Sequence, residues 1–164
     1  MIVPQPQDPN FEARVRASFE RQRVMATLGA RLVRVAPGET EIELPFRADL
    51  TQQHGFLHAG IVTTVLDSAC GYAAFSLMPA DAAVLSIEFK TNLLAPARGE
   101  LLIARGRVVR AGRTVTVCQA DAVMMDGGRE VHVATMTATM MTVLGRGVVG
   151  QDAAAGSTRH PDAR

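Results

Sequence analysis

The sequence offers little from which to build a disulfide framework, a membrane span or a charged binding face. Cysteine occurs twice, at Cys70 and Cys118, far apart and in no CxxC or metal-like spacing. Such a pair reads as small buried hydrophobes in a reducing compartment. Neither sign of charge dominates: 17 basic and 16 acidic residues leave a formal charge of +1. No global field therefore draws the chain to nucleic acid or to an anionic membrane, and an anionic ligand has to be held locally. The start, Met1 to Asn10, is rich in proline and polar residues. It lacks the basic-then-apolar order of a secretory signal and is expected to be a flexible lead-in. The most apolar stretch, Ile61 to Leu77, is interrupted by Thr63, Thr64, Asp67 and Ser68 and falls short of a membrane span. The expectation is a soluble, cytoplasmic protein with no membrane and no nucleic-acid partner.

What is present suits a single domain: 164 residues, of which 48% are apolar, are enough to bury one continuous core. The residues from Phe11 to Leu28 favour a short amphipathic helix with Phe11, Val15, Phe19 and Arg23 on one face. Arg31 to Val35 and Thr40 to Phe46 flank Pro37-Gly38. They read as a half-solvated hairpin, because Ile42, Leu44 and Phe46 alternate with Glu41, Glu43 and Pro45. From His58 to Leu77 the chain is apolar on nearly every side, as a buried helix must be. One stripe departs from that pattern: Gly60, Thr63, Thr64, Asp67 and Gly71 recur at helical spacing and are small or polar.

From Val84 the period becomes two. Further strands are expected over Leu101 to Val109, Thr114 to Met124 and Val131 to Val143, with turns at Ala111-Gly112 and Asp126-Gly127-Gly128. Helix, hairpin, buried helix and four strands fit an antiparallel sheet wrapped round one central helix, an α+β class. The expected organisation is a lead-in over 1–10, a domain over 11–144 and a disordered tail over 145–164, where periodicity is lost.

Asp67 sits in the middle of the buried helix, where an unpaired carboxylate carries a desolvation penalty of several kcal/mol. Such a residue is either a structural acid that caps a loop or pairs with an arginine, or a functional group. The string His54-Gly55-Phe56-Leu57-His58-Ala59-Gly60 immediately precedes it. Free N–H groups at the start of a helix there can hold a developing negative charge. Ala59 and Asp67 are eight positions apart, about 12 Å along one helix at 1.5 Å per residue. No single carbonyl touches both, so a site using both needs two helices, and a two-fold dimer would supply the second one antiparallel to the first.

In these residues the chain resembles the phenylacetate-pathway (PaaI-type) branch of the hot-dog thioesterases. That branch carries an Asn, then His-Gly-Gly, then an Asp eight residues past the first of those glycines. The matching string here is Gln52, His58-Ala59-Gly60, Asp67 and Gly71, followed by Ser86 and Pro96-Ala97. The resemblance implies a hot-dog fold in dimers or tetramers, and hydrolysis of an acyl-CoA to free acid and coenzyme A. In that reading Asp67 attacks the thioester or activates water, and the N–H of Ala59 polarises the carbonyl. His58 orders the helix start, Gln52 places water or supports the carbonyl, and Ser86 is a secondary polar group beside the acid. Arg110-Ala111-Gly112-Arg113-Thr114 resembles a turn that holds the coenzyme A phosphates, and Arg98 adds to it. An ordinary basic hairpin is the plainer reading of that turn. No cofactor is implied beyond the coenzyme A that is part of the substrate.

Gln52 and Ala59 depart from the family pattern. Gln52 has a longer side chain than Asn, and Ala59 keeps a backbone donor only where positive φ is not required. These departures keep open a noncatalytic acyl-CoA binding or sensing protein. A metal held by His54, His58 and Asp67 ranks low, because no HExxH arrangement and no fourth ligand is present, and no metal site is expected. A hot-dog hydratase would pair its acid with a catalytic His, and no such pair stands near Asp67. Tyr72 and Phe75 are expected to line an apolar pocket for an aromatic or medium-chain acyl group.

Overall fold

The structure is a computed structural model that describes residues 5–145. In chain order its elements are α1 (Phe11–Arg21), α2 (Arg23–Leu28), β1 (Arg31–Ala36), β2 (Glu39–Pro45), a 3₁₀ turn (Ala48–Leu50) and α3 (Ala59–Phe75). Four long strands follow: β3 (Ala82–Leu93), β4 (Leu101–Ala111), β5 (Val115–Asp126) and β6 (Arg129–Leu144). They form one six-stranded antiparallel sheet in the order β1-β2-β4-β5-β6-β3. The sheet curls round α3, the architecture expected from the element order.

Alternation decides which face of the sheet meets the helix. On β2, Thr40, Ile42 and Leu44 are buried while Glu39, Glu41 and Glu43 are not. On β5, Thr116, Cys118, Ala120, Ala122 and Met124 are buried in the same alternation. Small residues on these inner positions let α3 lie close. At Gly106 of β4 the approach is backbone to backbone: a Cβ built there would stand 2.4 Å from the carbonyl oxygen of Ala69. The same carbonyl accepts a 2.8 Å hydrogen bond from Thr40 Oγ1. At the far end of the helix, Ser76 Oγ accepts from Gly38 N–H at 2.8 Å and donates to Ala73 O at 2.7 Å. Helix and sheet are thus clamped at two places, and the helix side chains are held in fixed positions over the sheet.

The single helix expected over Phe11 to Leu28 is two helices, broken at Gln22, whose backbone is extended (φ −77°, ψ 92°). Burial explains the break. Val15 and Phe19 face the core from α1, whereas Met25 and Leu28 do so from α2. In an unbroken helix Met25 would point about 120° away from Phe19, given 3.6 residues per turn. The extended residue rotates the second helix back onto the core and leaves Arg23 exposed rather than on the buried face.

In the expected lead-in, Asp8 is only 6% exposed. Its Oδ2 lies 2.8 Å from Arg14 Nε, a close charge contact rather than an aligned hydrogen bond. Arg14 also donates to the carbonyls of Phe75, Met78 and Pro79 and lies 4.2 Å over the Phe75 ring. It caps the C-terminal end of α3, where a cation complements the helix dipole. Residues 1–4, and the expected tail beyond Gly145, lie outside the described residues. No helix among the described residues is long and apolar enough to cross a membrane.

Candidate active site

The start of α3 is organised by His58, its N-cap residue. His58 Nδ1 accepts from Gly60 N–H at 2.9 Å, and its carbonyl accepts from Ile61 N–H (2.9 Å) and Val62 N–H (3.2 Å). Gly60 leaves room for the imidazole, because a Cβ there would come within 3.1 Å of Nδ1. With the next three amides occupied, the N–H of Ala59 is the one in the first turn that finds no acceptor among the described residues. Ala59 is the first residue of α3 and has helical backbone, so its methyl group costs nothing in conformation at a position where the family carries glycine.

The loop before the helix is pinned by Leu57 N–H to Ala97 O (2.9 Å) and His58 N–H to Leu50 O (3.0 Å). Inside it, the side-chain oxygen of Gln52 accepts from the backbone N–H of His54. That bond leaves the amide Nε2 of Gln52 free to donate. Gln52 and Ala59 line one cavity of about 470 Å³, walled by Phe56, Val62, Leu93 and Pro96.

Asp67 lies two helical turns further on. It is half-buried, and Ser86 Oγ donates a 2.7 Å hydrogen bond to its Oδ1. Ser86 enters from β3, where it pairs with Met140 of β6 on the face toward the helix. Among the described residues Asp67 makes no ion pair with any arginine or lysine, so it is not the arginine-paired structural acid. Asp67 and Ser86 line a second cavity of about 620 Å³, together with Gly71, Tyr72 and Phe75 of α3. Its opposite wall comes from α1: Ser18, Arg21 and Gln22 face the cavity, and Ser68 Oγ donates to Gln22 Oε1 at 3.4 Å. Sequence reading did not find that wall. A polar helix face reads as solvated, whereas here it closes over the cavity beside α3.

The structure therefore brings together Asp67 with Ser86, and Gln52 with His58 and Ala59. It does not bring the two groups to each other. The two cavities share no lining residue. They meet β3 at different ends, one at Leu85 and Ser86 and the other at Leu93, and Ser86 and Leu93 are about 23 Å apart along the strand at 3.3 Å per residue.

The basic turn splits in the same way. Gly112 N–H donates to Val115 O (2.9 Å), and Thr114 O accepts from Thr142 N–H (2.8 Å). Arg110, Arg113 and Thr114 thus lie at the Asp67 end of the sheet, whereas Arg98 follows the segment that walls the Gln52 cavity. Arg98 and the turn do not meet within one chain.

Comparison with known proteins places these features in a family context. The sequence pattern of the Thioesterase superfamily matches residues 54–131. A Halobacterium salinarum protein that carries an esterase name is 33% identical over 116 residues, 68% of this chain and 76% of that one. A solved Thioesterase family protein from Silicibacter pomeroyi is 58% identical, with a TM-score of 0.82, over 82% of this chain and 99% of that chain. The Escherichia coli PaaI protein from the phenylacetic acid degradation operon superposes with a TM-score of 0.76 over 85% of this chain and 97% of that chain. At 18% identity that likeness concerns the fold alone.

Proposed function

We propose, for a chain that belongs to the Thioesterase superfamily and is a thioester hydrolase, that the substrate is an acyl-coenzyme A and that each active site is assembled from two copies of the chain. The observation that carries this reading is the separation of the two half-sites at opposite ends of an edge strand. A two-fold axis perpendicular to the sheet near Phe89 and Lys90 would pair β3 with β3 antiparallel and keep both central helices on one side. Leu93 of the partner subunit then comes beside Ser86, and its Gln52 and Ala59 come to face Asp67. One dimer holds two equivalent sites.

In such a site the thioester carbonyl oxygen points at the free N–H of the partner's Ala59, with the amide Nε2 of the partner's Gln52 as a second donor. Both are in place before charge develops, which is what makes an oxyanion hole effective. Asp67, oriented by Ser86, either takes a proton from an attacking water or attacks the carbonyl carbon itself. By the first route the tetrahedral oxyanion collapses, the C–S bond breaks, and coenzyme A leaves as a thiolate that takes up the proton held by Asp67. By the second, a mixed anhydride on Asp67 forms as the thiolate leaves, and water hydrolyses it to the free acid. The basic turn Arg110 to Thr114 lies at the Asp67 end and, with Arg98 of the partner subunit, supplies cations to the coenzyme A phosphates. Tyr72 and Phe75 suit an aromatic or medium-chain acyl group.

Two measurements test this. Purified protein is given a panel of short, medium and aromatic acyl-CoA esters with a thiol reagent, and Asp67→Asn is expected to lower turnover about a hundredfold or more without loss of folding. Binding without thiol release across the panel would favour the sensing protein instead. Asp67→Asn and Gln52→Ala chains, each nearly inactive alone, are then unfolded and refolded as a mixture. Random pairing makes half the dimers mixed with one intact site each, so activity should return to about a quarter of wild type. A site contained in one chain predicts no recovery.

A further inference from the structure

Two glycines in the inner layers of this protein have opposite explanations. Gly106 is required by packing, since any Cβ there strikes the backbone of α3 at Ala69. Gly71, in the middle of α3, is not: a Cβ built on it meets nothing within 4 Å among the described residues. Its backbone is helical, so no special φ calls for glycine either. Glycine is among the weakest helix formers, and within one chain this position calls for it neither by packing nor by conformation.

The place of Gly71 supplies a reason. It stands four residues after Asp67 and four before Phe75, so the three lie on one helix face, and all three line the same cavity. The wall beyond the carboxylate therefore runs from acid to bare backbone to aromatic ring. The bare stretch begins one helical turn, about 5.4 Å, past the acid. The neighbouring walls are fixed: Tyr72 packs against Phe19 and Phe75 with ring centroids 5.6 and 6.4 Å apart, and Phe75 is held under Arg14. Among the described residues no side chain fills the gap.

We propose that Gly71 sets acyl specificity: its missing side chain makes room for an acyl group with bulk, such as a ring, one helical turn beyond the reacting carbonyl. The proposal rests on the acyl-CoA thioesterase reading above and names the part of the substrate that this reading leaves open. A small acyl group such as acetyl gains nothing from the gap, whereas a ring-bearing group needs it.

The test compares kcat/KM for phenylacetyl-CoA and acetyl-CoA in the wild type, Gly71→Ala and Gly71→Val. One extra or missing methylene in a pocket is worth about 10- to 200-fold in discrimination, and Gly71→Ala adds one carbon where Gly71→Val adds three. Gly71→Val is therefore expected to lower the phenylacetyl-to-acetyl ratio at least about tenfold, the larger loss falling on phenylacetyl-CoA. Gly71→Ala, which favours the helix, should move the ratio the same way by less. A ratio unchanged within about twofold in both variants overturns the role of Gly71 while leaving the thioesterase reading standing. Equal loss on both substrates, or dissociation of the oligomer on a sizing column, also overturns it, because the gap would then serve assembly. If the wild type releases no thiol from either ester or from the wider panel, both readings fall together.

Discussion

The two edges of the sheet are built to opposite specifications. β1 is short, and its arginines are spent on the neighbouring strand: Arg31 bonds Glu43 and Arg34 bonds Glu39, each at about 2.9 Å. A short, charged edge resists pairing with another chain. β3 at the other edge has 12 residues. It leaves Leu85 and Ile87 53% exposed, Phe89 46% and Leu93 57%. Long and largely apolar, such an edge is a liability in a free monomer and an asset where a second copy covers it. One sheet thus ends in a rim that refuses partners and a rim that invites one, and both half-sites lie at the inviting rim.

The comparison is most directly broken by placing a charge on β3. Phe89→Lys puts like charges near each other across the proposed two-fold axis, so sedimentation should show monomers and acyl-CoA hydrolysis should fall about a hundredfold or more. A Phe89→Lys protein that stays dimeric and active would show that β3 is not the joint. Thiol titration sharpens the result by reporting whether the separated chain is still folded. Burial pushes the thiols of Cys70 and Cys118 up, that of Cys118 to about 12. At pH 8 neither should react in wild type or in Phe89→Lys, and both should react in denaturant. The same shift fixes a sign. Above pH 9 the unfolded chain releases thiol protons that the folded chain keeps, so stability should fall as pH rises from there toward the folded values. The smallest effect is expected at the opposite rim. Val33→Lys on β1, where Val33 is 40% exposed, should leave assembly and activity unchanged and alter stability by less than about 0.5 kcal/mol.

Much of the fold could be read before any coordinates because single elements carried unambiguous periods. The run from Ile61 to Leu77 is apolar on all sides and had to be a central helix. Ile42 and Leu44 alternate with glutamates and had to lie on a half-solvated strand. The helix break at Gln22 was not legible, because nothing local marks it. It is imposed by Met25 and Leu28 reaching a core that exists only in three dimensions. In the site, the spacing of Ala59 and Asp67 was enough to require two helices. That β3 is the edge which would join them depends on strand order, and strand order is a property of the whole sheet. The contrast between Gly71 and Gly106 was likewise out of reach: both are glycines among apolar neighbours, and only their surroundings tell them apart.

The capping of α3 by Arg14 has a practical bearing. One guanidinium, steadied by Asp8, closes off three carbonyls at the end of the helix that carries Asp67, and it also stands in the wall of the Asp67 cavity. A fusion partner or purification tag joined ahead of Asp8 therefore bears on the Asp67 cavity as well as on the chain end. Kinetic comparisons between preparations should hold that junction constant.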